Sequence, residues 1–302
     1  MQNNEQSKFI RTPITDILKD TVNACNGIGQ GIETQSLGEY VLQTTFLKMT
    51  GASEQKLKCI CWEMATRDYA YRYQYLKKNY GECSSYADKN SIYKDLIDRI
   101  LAIDSDFSID RLFEDVDISE KIDELIEKKI KEAQKKQEAN KNRALNADEV
   151  KRLEEGIRMN FNRNGISDKD KAYFKRMVLF ENIQDKLKDI LDSTLIERWE
   201  QNDYLNYISL WKGLSGYSFA QGDMLLCKEL HELYTDIVYV HRNRCAHNLL
   251  SYQNNLPTLK TLLNENFVYD NYYFRFSILI LLDEIFVRLY KAYMELIKKR
   301  YY

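Results

Sequence analysis

The scarcity of helix-breaking residues constrains the fold of this chain more than any other feature of its sequence. Its 302 residues contain only 2 Pro and 11 Gly. Apolar residues recur at spacings of three and four, which is the pattern of an α-helix that packs on one face. No run alternates apolar and polar residues for long enough to predict a strand. The sequence therefore predicts an all-α, multi-helix bundle.

The apolar periodicity marks helices on both sides of a more polar middle segment. The predicted helices cover about 12–22, 36–49, 53–78, 91–103, 168–190, 195–214, 226–248, 259–263 and 272–299. Gly51 suits the end of one helix and Ser53 the cap of the next. Gly27, Gly29 and Gly31 lack the preceding strand and the Gly-Lys-Ser ending of a phosphate loop, so we interpret them as a flexible connection.

The middle segment, from 119 to 146, differs in kind from the rest of the chain. A narrow apolar stripe is followed by residues 131–138, which are nearly all polar. This composition suits a solvent-exposed helix or a mobile insertion, because it leaves little to bury. We therefore predict N-terminal bundle helices over 1–116, a charged helical insertion or linker over 117–168, and the C-terminal half of the bundle over 169–302.

Overall composition narrows the class of protein. The formal net charge is −2, so any phosphate-binding surface has to be a local patch. The 6 cysteines form no C-x-x-C pair, which predicts reduced thiols in a cytoplasmic protein. Cys59 and Cys61 have no histidines nearby to complete a zinc set, so we expect no metal and no cofactor. The first residues contain no apolar signal core and no run approaches the roughly 20 residues of a membrane span, so we expect no membrane contact.

Histidines and arginines concentrate at the end of the predicted helix 226–248. The chain has 3 histidines, at positions 231, 241 and 247, and two arginines lie between the last two. The helix is expected to face the core with a seam of residues at alternating steps of four and three: Leu226, Leu230, Leu233, Ile237 and Val240. The same steps lead next to Arg244 and His247. A core seam that turns into Arg and His is either a sealed polar network or the floor of a site.

Arg242, His247 and Asn243 have the functional groups for chemistry on an RNA phosphate. Imidazole transfers protons near neutral pH, and guanidinium binds phosphate oxygens with two parallel hydrogen bonds. Asn243 lies four residues before His247 and shares its helix face, so it can orient the imidazole or a phosphate oxygen. Positions five apart on a helix differ in direction by about 140°, so Arg242 and His247 cannot point at one atom unless the helix bends or a second copy contributes.

A second candidate surface lies at residues 67–75, where tyrosines alternate with arginines. Arg67 and Arg72 could contact phosphates while the rings stack on bases. The alternative is that these tyrosines bury their rings and leave only the hydroxyls in water. Arg244 and His241, beside the main cluster, are further candidates for RNA contact.

The residues Arg242-Asn243-x-x-x-His247 resemble the R-x4-6-H motif of the HEPN superfamily. The resemblance covers the helices from 36 to 78 and from 168 to the C-terminus, with the motif itself confined to six positions. It implies a helical bundle and a metal-independent ribonuclease in which Arg242 and His247 match the catalytic positions and Asn243 the polar third. It also implies a site assembled from two motifs, and hence a homodimer or a HEPN-containing or regulatory partner. Leu249 stands where relatives paired with nucleotidyltransferase antitoxins carry a tyrosine, which argues against that form of regulation.

These features lead to one expected function and two alternatives. The expected function is a metal-independent endoribonuclease acting on cellular RNA, as a toxin or antiphage defence effector of the abortive-infection kind. The first alternative is a non-catalytic HEPN-like scaffold that binds RNA, nucleotide or protein. The second is a helical interaction protein in which Arg242 and His247 belong to an internal polar network.

Overall fold

The computed structural model describes residues 5–26, 35–77, 81–191, 201–247, 269 and 271–301. Helices dominate these residues, and the prediction of an all-α, multi-helix fold is confirmed. The helices are α1 Glu5–Arg11, α2 Asp16–Asn26, α3 Gln35–Arg67, α4 Tyr69–Tyr75, α5 Tyr86–Leu101, α6 Ser119–Lys141, α7 Ala147–Asn164, α8 Asp168–Leu191, α9 Gln201–Leu214, α10 Lys228–Leu233, α11 Val240–His247 and α12 Tyr272–Tyr301, with a 3-10 turn at Ile109–Phe113 and a π-helical segment at Tyr234–Tyr239. The predicted glycine connection at 27–31 and the predicted helix at 259–263 lie outside the described residues.

The chain divides into two compact units. The first consists of Met1–Leu112 and Phe180–Tyr302, and the second is Phe113–Leu179, which includes the charged insertion predicted at 117–168. In the second unit α6 packs against α7. A reciprocal capping box begins α7: the Asn146 side chain accepts from the Glu149 backbone N–H, and the Glu149 carboxylate accepts from the Asn146 backbone N–H.

Helix α12 forms the centre of the first unit. It packs against α3, α5, α9 and the π-helical segment. Its side chains are buried on nearly every face, as expected of a helix surrounded by others. The long apolar run predicted at 272–299 therefore belongs to the core.

A buried ion pair joins α12 to α3. The Lys56 ammonium lies 2.6 Å from an Asp283 carboxylate oxygen, and both side chains are almost fully enclosed. The other oxygen of Asp283 accepts a 2.9 Å hydrogen bond from the Ile14 backbone N–H. Lys56 also donates to the Thr12 carbonyl. These bonds satisfy two charges that would be costly to bury alone.

Helix α3 differs from the two helices predicted in its place. It runs without interruption through Gly51, and Ser53 is a buried residue inside it rather than a cap. An interior glycine costs only about 1 kcal/mol relative to alanine. Apolar residues buried on both sides of Gly51, including Met49 and Leu57, outweigh that cost.

The predicted helix 53–78 in fact breaks at Asp68. This residue is extended, and its side chain accepts a hydrogen bond from the Tyr71 backbone N–H, which begins the separate helix α4. The break reflects the preference of Asp for helix N-caps.

A short hairpin precedes the helix that carries the arginine–histidine motif, whereas the sequence predicted no strand. Strands Phe219–Gln221 (β1) and Met224–Leu226 (β2) pair antiparallel. Gly222 in the turn has a φ of 50°, a conformation that glycine adopts without strain. Three-residue strands are too short to show alternation, so Leu226 was wrongly assigned to the following helix.

Two broader properties concern the whole described part of the chain. None of its helices is long and apolar enough to cross a membrane. All six cysteines are buried, and the structure forms no disulfide among them.

Candidate functional site

A π-helical segment interrupts the helix that carries the arginine–histidine motif. Residues 228–233 are α-helical, residues 234–239 are π-helical, and residues 240–247 return to α-helix. At the end of the π segment the Val240 backbone N–H donates to the Thr235 carbonyl, five residues earlier. A π turn therefore inserts an extra residue ahead of the motif, as is frequent near functional sites.

The extra residue shifts which side chains of α11 face the core. Leu230, Leu233 and Ile237 are buried as the seam predicted. Beyond the π segment the buried position is Cys245, while Arg244 is only half-buried. The seam has moved by one residue, so the expectation that it continues through Val240 and Arg244 is wrong.

His241 is half-buried on the face of α11 that this shift turns toward the core. Its ring lies 5.1 Å from the Phe46 ring and 5.5 Å from the Tyr272 ring, measured between centroids. Its Nε2 lies 3.3 Å from the Tyr272 hydroxyl and 3.5 Å from the Cys245 sulfur. Burial, with smaller effects from the charges of Arg275 and Arg244, lowers the pKa of His241 to about 2. The ring is thus packed against two aromatic side chains and kept neutral, so it would bring no positive charge to the RNA contact predicted for it.

The neutral state of His241 leads to a prediction about acid stability. Its pKa is about 6.5 in the unfolded chain and about 2 in the folded one, so below pH 6.5 only the unfolded chain takes up the proton. We expect this group to lower the free energy of unfolding by up to about 1.4 kcal/mol per pH unit between pH 6.5 and 4.5. His241→Phe should reduce the slope of the free energy of unfolding against pH by the contribution of about one proton, or about 1.4 kcal/mol per pH unit. Urea denaturation at several pH values measures this slope. Equal pH slopes for the two proteins would contradict this assignment.

Arg242 is fixed by a bidentate ion pair with Glu54 of α3. Its Nε and Nη2 each lie 3.1 Å from a different carboxylate oxygen of Glu54. Nη1 donates to the Asn243 side-chain oxygen at 3.3 Å. The Arg242 side chain is 22% exposed and that of Glu54 is 14% exposed. The guanidinium is therefore oriented by its partners, and the side chain as a whole is not sealed from solvent.

Sequence reasoning did not identify Glu54 as part of this site. The helix boundary predicted at Gly51 and Ser53 lies just before Glu54, whereas the structure places Glu54 in the interior of α3. Glu54 and Arg242 are 188 positions apart and meet only because α11 packs on α3. No local spacing could have indicated this pair.

Further charged side chains surround the Arg242–Glu54 pair. Lys58, one turn along α3 from Glu54, forms an ion pair with Glu82. The hydrogen bond to Lys58 lowers the pKa of Glu82, and the charge of Arg242 acts in the same direction. Lys89 is buried and donates to the Cys83 carbonyl, and desolvation lowers its pKa to about 8 although the charge of Glu54 opposes this. The neighbourhood thus combines three basic side chains with two carboxylates.

The other predicted site residues fall in three places. Asn243 contacts Arg242, as described above, and Arg244 is half-buried on the same helix. His247 is the last residue of α11, but its side chain lies outside what the structure describes. Arg67 and Arg72 are exposed on α3 and α4, with Arg67 bonded to Glu63 at 2.9 Å. Arg67 is 13 residues beyond Glu54, or about 20 Å along the helix.

The coupling between Glu54 and Arg242 can be measured without reference to activity. Glu54→Gln leaves the half-buried guanidinium without its countercharge, so we expect a loss of about 1–3 kcal/mol in the free energy of unfolding. Arg242→Met should remove most of this penalty, giving a coupling energy of about 0.5–3 kcal/mol in a double-mutant cycle. Additive effects of the two substitutions in urea denaturation would show that the pair contributes nothing.

Within the described residues, no group of three or more His, Cys, Asp or Glu side chains is arranged to hold a metal ion. Comparison of the chain with protein-family models, with curated proteins and with solved structures finds no match.

Proposed function

We propose that the chain is a metal-independent endoribonuclease of the HEPN type, acting on cellular RNA in the cytoplasm as a toxin or antiphage defence effector. The observation that carries this proposal is Arg242, which lies on the short helix that also holds His247. Glu54 and Asn243 orient its guanidinium, and its side chain is partly exposed. The resemblance of Arg242-Asn243-x-x-x-His247 to the R-x4-6-H motif supports the assignment of the reaction.

The proposed reaction uses the 2′-hydroxyl of the RNA itself as nucleophile. A base removes its proton, the 2′-oxygen forms a bond to phosphorus, and the bond from phosphorus to the 5′-oxygen breaks as an acid protonates that oxygen. The products are a 2′,3′-cyclic phosphate and a 5′-hydroxyl. His247 is assigned the proton transfer, and Arg242 stabilises the negative charge that builds on the phosphate oxygens.

The hydrogen bonds that Arg242 forms leave some of its N–H donors available for a phosphate. A guanidinium has five N–H donors. The three bonds to Glu54 and Asn243 use one donor on each of its nitrogens. Each terminal nitrogen keeps a second donor for a phosphate oxygen. Glu54 and Asn243 are therefore positioning residues in this proposal.

One chain supplies a single motif, and its two key residues diverge on the helix. Arg242 and His247 lie within one regular stretch of α11, where five residues correspond to a difference in direction of about 140°. We propose that a second motif, from another copy of this chain or from a HEPN-containing partner, completes the site. A twofold axis relating two copies would place each Arg242 near the other chain's His247.

The non-catalytic scaffold is the second candidate function, and the Arg242–Glu54 pair is the observation in its favour. A bidentate pair between helices is also what a purely structural arginine forms. The same RNA or protein binding would then occur without a cleavage product.

The test incubates purified protein with RNA in EDTA and, separately, in Mg²⁺. The endoribonuclease is expected to cleave at the same rate in both. Cleavage only in Mg²⁺ would exclude the proposed mechanism, and binding without cleavage in either condition would favour the scaffold.

A further inference from the structure

The outer face of α4 carries unusually exposed apolar side chains. Among the large apolar residues of the described chain, Tyr69 and Leu76 are the most exposed, at 84% and 76%, and Tyr73 is 60% exposed. Steps of four and three residues place these side chains on one face of the helix. On the other face Tyr71 is buried and its ring lies 5.9 Å from that of Tyr75. The inner tyrosines therefore anchor a helix whose outer tyrosines stay largely exposed.

The charge of this segment is entirely basic. Residues 69–81 include Arg72, Lys77 and Lys78 and no acidic residue, in a chain whose net charge is −2. The Lys77 ammonium lies 4.1 Å from the centre of the Tyr73 ring. The preceding acid, Asp68, accepts from the Tyr71 backbone N–H and faces Arg99 at 3.7 Å. Exposed rings beside these cations thus form a local basic and aromatic surface.

This combination fits single-stranded RNA better than a duplex. Bases of a single strand stack on exposed aromatic rings while cations contact the phosphates. In a duplex the bases are paired and stacked on each other, so they offer no free face on which the tyrosine rings could stack. Tyr69 and Tyr73 are one helical turn apart, about 6 Å along the axis, so consecutive or alternate bases can reach both rings.

The helix that carries this surface and the helix that carries Arg242 both pack on α3. Glu54, which holds Arg242, is about 20 Å along α3 from the start of α4. Lys58 lies between Glu54 and α4 along the chain and is partly exposed, so it adds a cation to this part of α3. Roughly six stacked nucleotides at about 3.4 Å each span this distance.

We propose that the outer face of α4, formed by Tyr69, Tyr73, Arg72 and Lys77, binds single-stranded RNA and guides it along α3 toward Arg242. Binding at this surface is a separate property, but its purpose as a substrate guide rests on the proposed ribonuclease function. The proposal assigns single-stranded RNA as the substrate class.

The test measures binding of a fluorescent 12-nucleotide single-stranded RNA, made uncleavable by 2′-O-methyl groups, by fluorescence anisotropy. Replacing both rings in Tyr69→Ala/Tyr73→Ala is expected to weaken binding by roughly 5-fold to 150-fold for each base that loses its stack. Tyr69→Phe/Tyr73→Phe keeps the rings and should bind within about twofold of wild type. Tyr40→Ala, a tyrosine of similar exposure on α3, is the matched control and should leave binding unchanged. Arg72→Gln/Lys77→Gln should reduce the salt dependence of binding.

The outcomes separate this proposal from the proposed function. Equal affinity of the Tyr69→Ala/Tyr73→Ala and Tyr40→Ala variants would overturn the α4 surface even if the protein cleaves RNA. Equal or tighter binding of a duplex of the same sequence, or no RNA binding by wild type, would overturn it as well. Ring-dependent binding by a protein that never cleaves RNA would keep the surface and reject the ribonuclease.

Discussion

Replacing Arg242 with alanine is expected to lower the rate of RNA cleavage by at least about a hundredfold, because the developing charge on the phosphate loses its cation. Arg242→Lys should recover only part of that rate, since an ammonium cannot bond to Glu54 in bidentate fashion and to a phosphate oxygen in fixed geometry. His247→Ala is expected to cost about 10²-fold to 10⁴-fold through loss of proton transfer. The measurement is a single-turnover rate with saturating protein, in EDTA.

The control for these variants is Arg111→Ala. Arg111 forms an exposed ion pair with Asp104 at 3.2 Å and is not part of the proposed site. Like Arg242→Ala, this substitution removes one arginine and its contact with a carboxylate. Cleavage by this variant should match wild type. Thermal unfolding of every variant shows whether the fold is kept, and Arg242→Lys retains the countercharge to Glu54. Unchanged cleavage by a folded Arg242→Ala protein would remove Arg242 from the mechanism.

The largest expected effect on stability comes from Asp283. Removing its carboxylate in Asp283→Ala leaves the buried Lys56 ammonium with the Thr12 carbonyl but without a countercharge, which should lower the free energy of unfolding by about 3–5 kcal/mol. It also leaves the Ile14 backbone N–H without its acceptor. Urea denaturation of the purified protein measures this loss.

Two comparisons identify the cause of that loss. Asp104→Ala breaks the exposed pair with Arg111 and should cost less than about 1 kcal/mol. The double variant Lys56→Met/Asp283→Leu replaces both charges with apolar side chains and should be far more stable than Asp283→Ala. A loss below about 1 kcal/mol for Asp283→Ala would mean that the buried pair does not stabilise the fold.

Long apolar periodicity predicted the helices of the fold most reliably. Helix α12 was predicted at 272–299 and is Tyr272–Tyr301, and α8 was predicted at 168–190 and is Asp168–Leu191. Both segments have many regularly spaced apolar residues and no internal breaker, so local preference and burial favour the same structure.

The sequence predictions that the structure did not match have a common physical cause: packing competes with the local preference of the residues. Gly51 favours a helix end locally, but the core contacts of α3 keep it helical. The apolar spacing before Tyr234 gives no sign of the π segment at Tyr234–Tyr239, yet this segment changes which residues of α11 face the core and brings the His241 ring against Phe46. The partner of Arg242 depends on the packing of α11 against α3, so Glu54 could not be found from the residues around the motif.

The most direct test of the central claim, that the 2′-hydroxyl of RNA is the nucleophile at a site containing Arg242, compares two substrates in EDTA. One is a ribo-oligonucleotide with a mapped cleavage position, and the other carries a single 2′-deoxy residue at that position. We expect wild-type protein to cleave the first, leaving a 2′,3′-cyclic phosphate, and to leave the second intact at that position. Cleavage of the deoxy-substituted bond, or a 5′-phosphate on the product, would contradict the mechanism.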